Sequence, residues 1–179
     1  MGTPDQERAV LLTGMMGSGK STVGRALAAR LARVFVDTDS EVERLAGRSI
    51  SDLFATEGES GFRRRETAVL LGLRGSRAVI ALGGGAVLDP RNRGILSELG
   101  TLVWLDAGVK TLASRVEGAE DRPLLAGMSG EDRASRLSSL LEQRREAYAT
   151  ASIRVETDGR SVDEVCDAVL AALGWENAR

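Results

Sequence analysis

Short apolar runs alternate with stretches whose apolar residues recur every three to four positions. Ala9-Val10-Leu11-Leu12 reads as a buried strand. Val23, Leu27 and Leu31 then lie at i, i+4 and i+8, one face of a helix, with Arg25 and Arg30 off that face. Val34-Phe35-Val36 is the second strand and runs into Asp37-Thr38-Asp39, and Val42, Leu45 and Ala46 mark the next helix. Ser49 or Ser51 is placed to cap a short helix, Gly58-Glu59-Ser60-Gly61 interrupts it, and Phe62 opens another that continues through Val69, Leu70 and Leu73. Residues 78–82 form a third strand that ends in Gly83-Gly84-Gly85. Asp89-Pro90 starts a helix containing Ile95, Leu96 and Leu99, with Gly100 at its end. Residues 101–105 are the fourth strand, followed by a helix with Val109, Leu112, Ala113 and Val116. Residues 117–130 carry no periodicity. From Glu131 the helical pattern resumes, residues 152–155 form the fifth strand, and Val162, Val165, Val169 and Leu173 line a closing helix. Strands alternating with helices predict an α/β fold with a mostly parallel five-stranded sheet. In such sheets ligands sit beyond the carboxyl ends of the strands.

The first strand end carries the strongest signal. Gly14-Met15-Met16-Gly17-Ser18-Gly19-Lys20-Ser21-Thr22 reads G-x-x-x-x-G-K-S-T, between a strand and a helix, which is the context of a phosphate-binding loop. Glycines let successive backbone N–H groups curl around an anion, and the helix N-terminus adds partial positive charge. Lys20 supplies a full cation near the outer phosphates, Ser21 a hard oxygen for Mg²⁺, and Thr22 a further phosphate contact. The chain has only two lysines, Lys20 and Lys110.

Composition narrows the chemistry further. With 179 residues the chain is expected to be one domain, 1–179. Its net charge of −2 provides no bulk basic field for nucleic acid. The absence of histidine removes imidazole bases and ligands, and the single cysteine, Cys166, rules out an intrachain disulfide. No apolar run is long enough to span a bilayer, and the N-terminus lacks a secretory pattern, so a cytoplasmic protein without a membrane partner is expected.

Other strand ends and helix faces offer candidates with two readings each. Asp37 and Asp39 could hold Mg²⁺ through water and meet a substrate hydroxyl, or cap the following helix. Arg63 shares a helix face with Glu66 and Leu70, an arrangement suited either to orienting a guanidinium towards a carboxylate ligand or to a solvated basic face. Gly83-Gly84-Gly85 permits close approach of a ligand, or simply makes a turn. Arg122 lies in the irregular stretch, which resembles a loop with small-residue hinges. Arg144 interrupts the stripe Leu137, Leu140, Leu141, Tyr148, so it needs an anion, several acceptors or an outward path.

Taken together these motifs resemble the shikimate kinase family over nearly the whole chain. The matching pieces are the phosphate loop, Asp37-Thr38-Asp39, Gly47-Arg48-Ser49-Ile50, Phe62-Arg63-Arg64, Leu82-Gly83-Gly84-Gly85-Ala86-Val87, Arg122-Pro123-Leu124-Leu125, and Arg144 with Tyr148 four residues on. The resemblance implies a P-loop three-layer α/β/α fold with a mobile lid at about 117–130 and a shikimate-binding region at about 37–66. It implies phosphorylation of the 3-hydroxyl of shikimate by ATP with Mg²⁺. Gly17, Ser18, Gly19, Lys20, Ser21 and Thr22 would hold ATP, with Ser21 and Asp37 on the metal. Asp39 would bind the shikimate hydroxyls and is the candidate base. Arg63, Arg144, Gly84 and Gly85 would bind the rest of shikimate, with the two arginines on its carboxylate. Arg122 would reach the phosphates as they transfer, and Arg115 and Arg160 would lie near the adenine. Two departures stand out: Glu146 and Val162 occupy positions where the family often has proline.

Other functions fit less well. A P-loop kinase acting on gluconate or a nucleoside monophosphate shares the nucleotide half, but Asp39, Arg63 and Arg144 suit a hydroxylated carboxylate rather than a base. A GTPase-like switch would need an N/T-K-x-D guanine motif, which is absent. A catalytically silent homologue acting only as a partner finds no support, because every motif residue is intact. A monomer is expected.

Overall fold

The five apolar runs become strands β1 (Ala9–Thr13), β2 (Phe35–Asp37), β3 (Val79–Ala81), β4 (Gly100–Asp106) and β5 (Ile153–Glu156). They form one parallel sheet in the order β2-β3-β1-β4-β5 in a computed structural model that describes residues 7–116 and 130–175. Among the described residues seven α-helices accompany them: α1 (Lys20–Arg30), α2 (Thr38–Ala46), α3 (Ile50–Gly72), α4 (Pro90–Leu99), α5 (Val109–Arg115), α6 (Gly130–Tyr148) and α7 (Val162–Ala172), with a short 3-10 turn at Ala86–Leu88.

Side chains alternate across each strand, so β1 sends Leu11 to one face and Val10 and Leu12 to the other. One face packs on α1 and α7 through Val23, Leu27, Val165 and Val169. The opposite face packs on α3 to α6 through Leu70, Leu96, Leu112, Leu137 and Leu141. The result is three layers, α/β/α. Both faces of the central strands are covered, which is why they read as unbroken apolar runs. A third, smaller core of Val42, Leu53, Phe62 and Val69 joins α2 to α3, with the Phe54 and Phe62 rings 4.9 Å apart.

The structure differs from the sequence expectations in detail. The interruption near Gly58 shrinks to one residue: Gly58 alone leaves the helical path of α3, at φ 67° and ψ −179°, a conformation open essentially to glycine. Gly100 ends α4 but is extended (φ 176°), not left-handed. Glycine is needed there because a Cβ would fall on the Ala9 carbonyl of the neighbouring strand. Val34 and Leu45, expected in apolar stripes, are 70% and 60% exposed. Val34 precedes the edge strand β2, where the sheet has no further neighbour to cover it. Among the described residues no helix is long and apolar enough to cross a membrane.

Cys166 lies on the inner face of α7, fully buried, with its thiol 3.8 Å from the Val23 carbonyl. Burial pushes this thiol up, away from the reactive thiolate. Native protein should therefore resist aromatic disulfide reagents at neutral pH and react with one equivalent once unfolded in denaturant, as read by released chromophore.

Candidate active site

The carboxyl ends of β1, β2 and β3 meet at one point, and most of the expected residues gather there. After β1 the loop turns through Gly17 and Gly19 at φ 81° and 94°, then enters α1. No side chain caps α1 and no acidic residue stands in its first turn, so its leading amides have no acceptor within the helix. The Ser18 amide donates to the Met15 carbonyl at 3.1 Å, and its hydroxyl is buried without a hydrogen-bond partner. The Ser18 amide therefore shapes the loop, and the amides at the start of α1 are among the donors left for an anion. Lys20 Nζ donates to the Gly14 and Met15 carbonyls at 2.8 and 2.9 Å, which folds the ammonium back over the loop.

Asp37 ends β2 and caps α2. Its Oδ1 accepts from the Asp39 and Ser40 amides at 3.1 and 3.4 Å, and its Oδ2 accepts from the Ser21 hydroxyl at 2.8 Å. The two readings of Asp37 thus coexist: one oxygen caps the helix while the other joins the serine expected on the metal. This hydroxyl–carboxylate pair is a hard-oxygen donor set that fits Mg²⁺. Among the described residues no group of three or more His, Cys, Asp or Glu could cage a metal alone. Phosphate oxygens and water would complete its coordination.

The glycine turn after β3 is a second meeting point. A Cβ on Gly83 would meet Asp39 Oδ1 at 2.5 Å and Glu66 Oε1 at 2.8 Å. One on Gly84 would meet Arg144 Nη1 at 3.4 Å and the Tyr148 hydroxyl at 3.7 Å. One on Gly85 would fall on the Arg63 guanidinium. Three consecutive glycines thus let two carboxylates and two guanidinium groups, from three different helices, crowd against the backbone. The Gly83 amide donates to the buried Thr38 hydroxyl at 2.9 Å, which ties the turn to the first turn of α2. Asn92 holds the following residues: its Nδ2 donates to the Ala86 carbonyl at 2.9 Å and its Oδ1 accepts from Thr67 at 2.8 Å.

The two arginines differ in environment. Arg63 Nη1 donates to Glu66 Oε2 at 2.8 Å, and the Glu66 side chain is 1% exposed with Oε1 lacking a hydrogen-bond partner. Burial pushes the Glu66 carboxyl up despite Arg63, and negative charge on Asp39 and Asp89 acts in the same direction. Arg144 has no carboxylate partner among the described residues. Its Nη1 reaches the Gly84 carbonyl at 3.4 Å and Met15 Sδ at 4.0 Å. Tyr148 donates to the same carbonyl at 2.8 Å, and burial pushes its phenol up, so it stays a donor. Arg144 is therefore a partly buried cation supplied only with neutral acceptors, an arrangement suited to an incoming anion.

A separate cavity of about 160 Å³ opens beside the loop, lined in part by Gly19, Thr22, Arg115, Thr157, Arg160 and Val162. Arg115 spans it, reaching the Gly17 carbonyl at 3.4 Å and the Thr157 hydroxyl and carbonyl at 3.3 and 3.2 Å. Asp158 accepts from the Gly108 amide at 3.0 Å and so fastens the β5–α7 turn to the start of α5. Both arginines expected near the base line this cavity, and Val162 lines the same space. Arg122 and residues 117–129 of the expected lid lie outside the described residues. Thr38, Asn92 and Asp158 escaped sequence reasoning. Thr38 had a signal in its place between two aspartates, while Asn92 and Asp158 act across distances that the chain order hides.

The family model for shikimate kinase matches residues 16–174. A shikimate kinase from Symbiobacterium thermophilum is 49% identical over 92% of this chain and 95% of its own length. One from Geobacter sulfurreducens is 44% identical over 92% and 90%. Among solved structures, a shikimate kinase from Acinetobacter baumannii in complex with shikimate superposes with a TM-score of 0.88 at 36% identity, covering 98% of this chain and 97% of that one. A gluconokinase from Sinorhizobium meliloti superposes with a TM-score of 0.54 at 20% identity, a likeness of fold alone.

Proposed function

The chain belongs to the shikimate kinase family, and from that premise we propose how its residues carry the γ-phosphoryl group of ATP to the 3-hydroxyl of shikimate, giving shikimate 3-phosphate and ADP. The observation that carries the assignment of residues is the glycine turn, where Asp39, Arg144 and Arg63 converge on Gly83, Gly84 and Gly85 in turn. A ring acid with adjacent hydroxyls needs cations at one end and a carboxylate at the other, and this turn supplies both.

Phosphoryl transfer asks the protein for position and charge neutralisation more than for covalent chemistry. Arg63 and Arg144 would grip the shikimate carboxylate, and Gly84 and Gly85 would let the ring approach the backbone. Asp39 would orient the reacting hydroxyl and is the candidate base for its proton. The start of α1 and Lys20 would hold the phosphates, Lys20 exchanging its carbonyl partners for phosphate oxygens. Ser21, with Asp37 through water, would hold Mg²⁺, which when bound draws charge from the outer phosphate oxygens. Arg115 and Arg160 would flank the base. Arg122, outside the described residues, would approach the phosphoryl group from the lid, and lid closure would exclude water as acceptor. On this reading one P-loop domain works as a monomer on small molecules alone, in the cytoplasm where ATP is supplied.

The test is ADP release from Mg·ATP with and without shikimate, with gluconate and AMP as parallel acceptors. Shikimate-dependent release over a low background is expected. Release only with gluconate or AMP would keep the fold and discard the acceptor assignment.

A further inference from the structure

Arg63 carries two carboxylates of unlike character. Glu66 holds Nη1 at 2.8 Å with its side chain 1% exposed, whereas Glu59 approaches Nη2 at 3.4 Å with its side chain 70% exposed. The first is enclosed and cannot leave without opening the fold. The second is in solvent and long for a charge-assisted contact, so it can swing away freely. The other groups around Arg63 are committed elsewhere. Asp89 contributes negative field but is held by Arg91, and the Phe62 ring lies against the guanidinium, 5.2 Å from its carbon. Backbone geometry puts Glu59 in place: α3 breaks at Gly58, so Glu59 opens the helical segment that presents Arg63 one turn later.

We propose that Glu59 is a displaceable counter-ion for Arg63, resting on the Nη2 edge until the carboxylate of the acceptor takes that edge. The proposal rests on the reading of Arg63 as a carboxylate grip. Its physical content is an exchange. An acidic acceptor replaces one carboxylate by another and regains what it breaks. A neutral acceptor has nothing to offer Nη2, so it leaves Glu59 where it is. Glu59 therefore lowers affinity for the acidic substrate modestly, and it keeps a partly buried guanidinium supplied with a partner between turnovers.

Glu59→Gln tests this, because amide for carboxylate keeps size and removes charge at an exposed site. With shikimate varied at saturating ATP, the KM for shikimate should fall about two- to fivefold, the range of an exposed ion pair, with kcat and the KM for ATP unchanged. Equilibrium binding of shikimate should tighten by the same factor, and binding of its methyl ester should not change. A KM for shikimate that stays or rises, or an equal gain for the ester, overturns the proposal. A wild-type protein that releases no ADP with shikimate would instead sink the reading beneath it, so the two failures are separable. A structural role for Glu59 predicts weaker binding on substitution, the opposite sign.

Discussion

Lys20→Ala is expected to lower kcat for shikimate-dependent ADP release by about a hundred- to a thousandfold, the loss that follows when one well-placed donor to a developing anion is removed. The fold should survive. Lys20 stands at the first turn of α1 and gives its ammonium to two carbonyls of the loop. Those carbonyls belong to buried residues, Gly14 and Met15, so losing their donor costs about 1–3 kcal/mol and shifts the thermal midpoint by about 2–12 °C. Activity and thermal unfolding measured on one preparation separate the two effects. Undiminished turnover would overturn the phosphate-loop assignment.

Arg63→Ala should produce two large effects that a second substitution can pull apart. Removing the guanidinium takes away charge-assisted bonds to the acceptor and weakens shikimate binding about tenfold to a hundredfold, with ATP binding little changed. It also strands Glu66, whose buried carboxylate loses its only counter-ion among the described residues, and that costs about 3–5 kcal/mol of stability. Arg63→Ala with Glu66→Gln should recover much of the stability and none of the binding, as read by denaturant unfolding and by titration with shikimate. The pH dependence has a fixed sign. Burial already holds the Glu66 carboxyl above its ordinary value of 4.5, and loss of Arg63 raises it further. The folded variant then binds a proton more tightly than the unfolded chain, so its stability falls as pH rises from that ordinary value through the raised one. The deficit of Arg63→Ala relative to the parent should therefore be larger at pH 7 than at pH 5. A deficit independent of pH would mean that Glu66 is not what the substitution strands. Arg144→Ala offers a cleaner probe of the carboxylate grip, because no carboxylate among the described residues depends on it.

The nucleotide half was the more legible in the sequence because its residues are contiguous: loop, lysine, serine and helix follow one another, and their spacing alone implies the cradle. The proposed acceptor half draws on residues far apart in the chain. Asp39, Arg63, Gly84 and Arg144 could each be listed as candidates, but only the strand order, with β3 between β2 and β1, explains how they meet. Asp37 shows why two sequence readings need not compete, since its two oxygens serve a helix cap and a site. Gly100 was legible as a helix end for the wrong reason. Its requirement comes from the neighbouring strand, which periodicity along one segment cannot see. Glu59 was visible only as part of a break, because nothing in a Gly-Glu-Ser-Gly run says that the carboxylate turns back towards an arginine four residues on.

The small core of Val42, Leu53, Phe62 and Val69 has a consequence for how such a protein can diverge. Asp39 and Arg63 ride on helices that this core joins, while the phosphate loop and the base cavity are set by the packing of the sheet. Arg144 and the glycine turn, by contrast, are held by the sheet core through Tyr148, Leu82 and Ala86. Change in the α2–α3 pair can therefore move Asp39 and Arg63 against a fixed Arg144, while the loop after β1 stays set by the packing of the sheet.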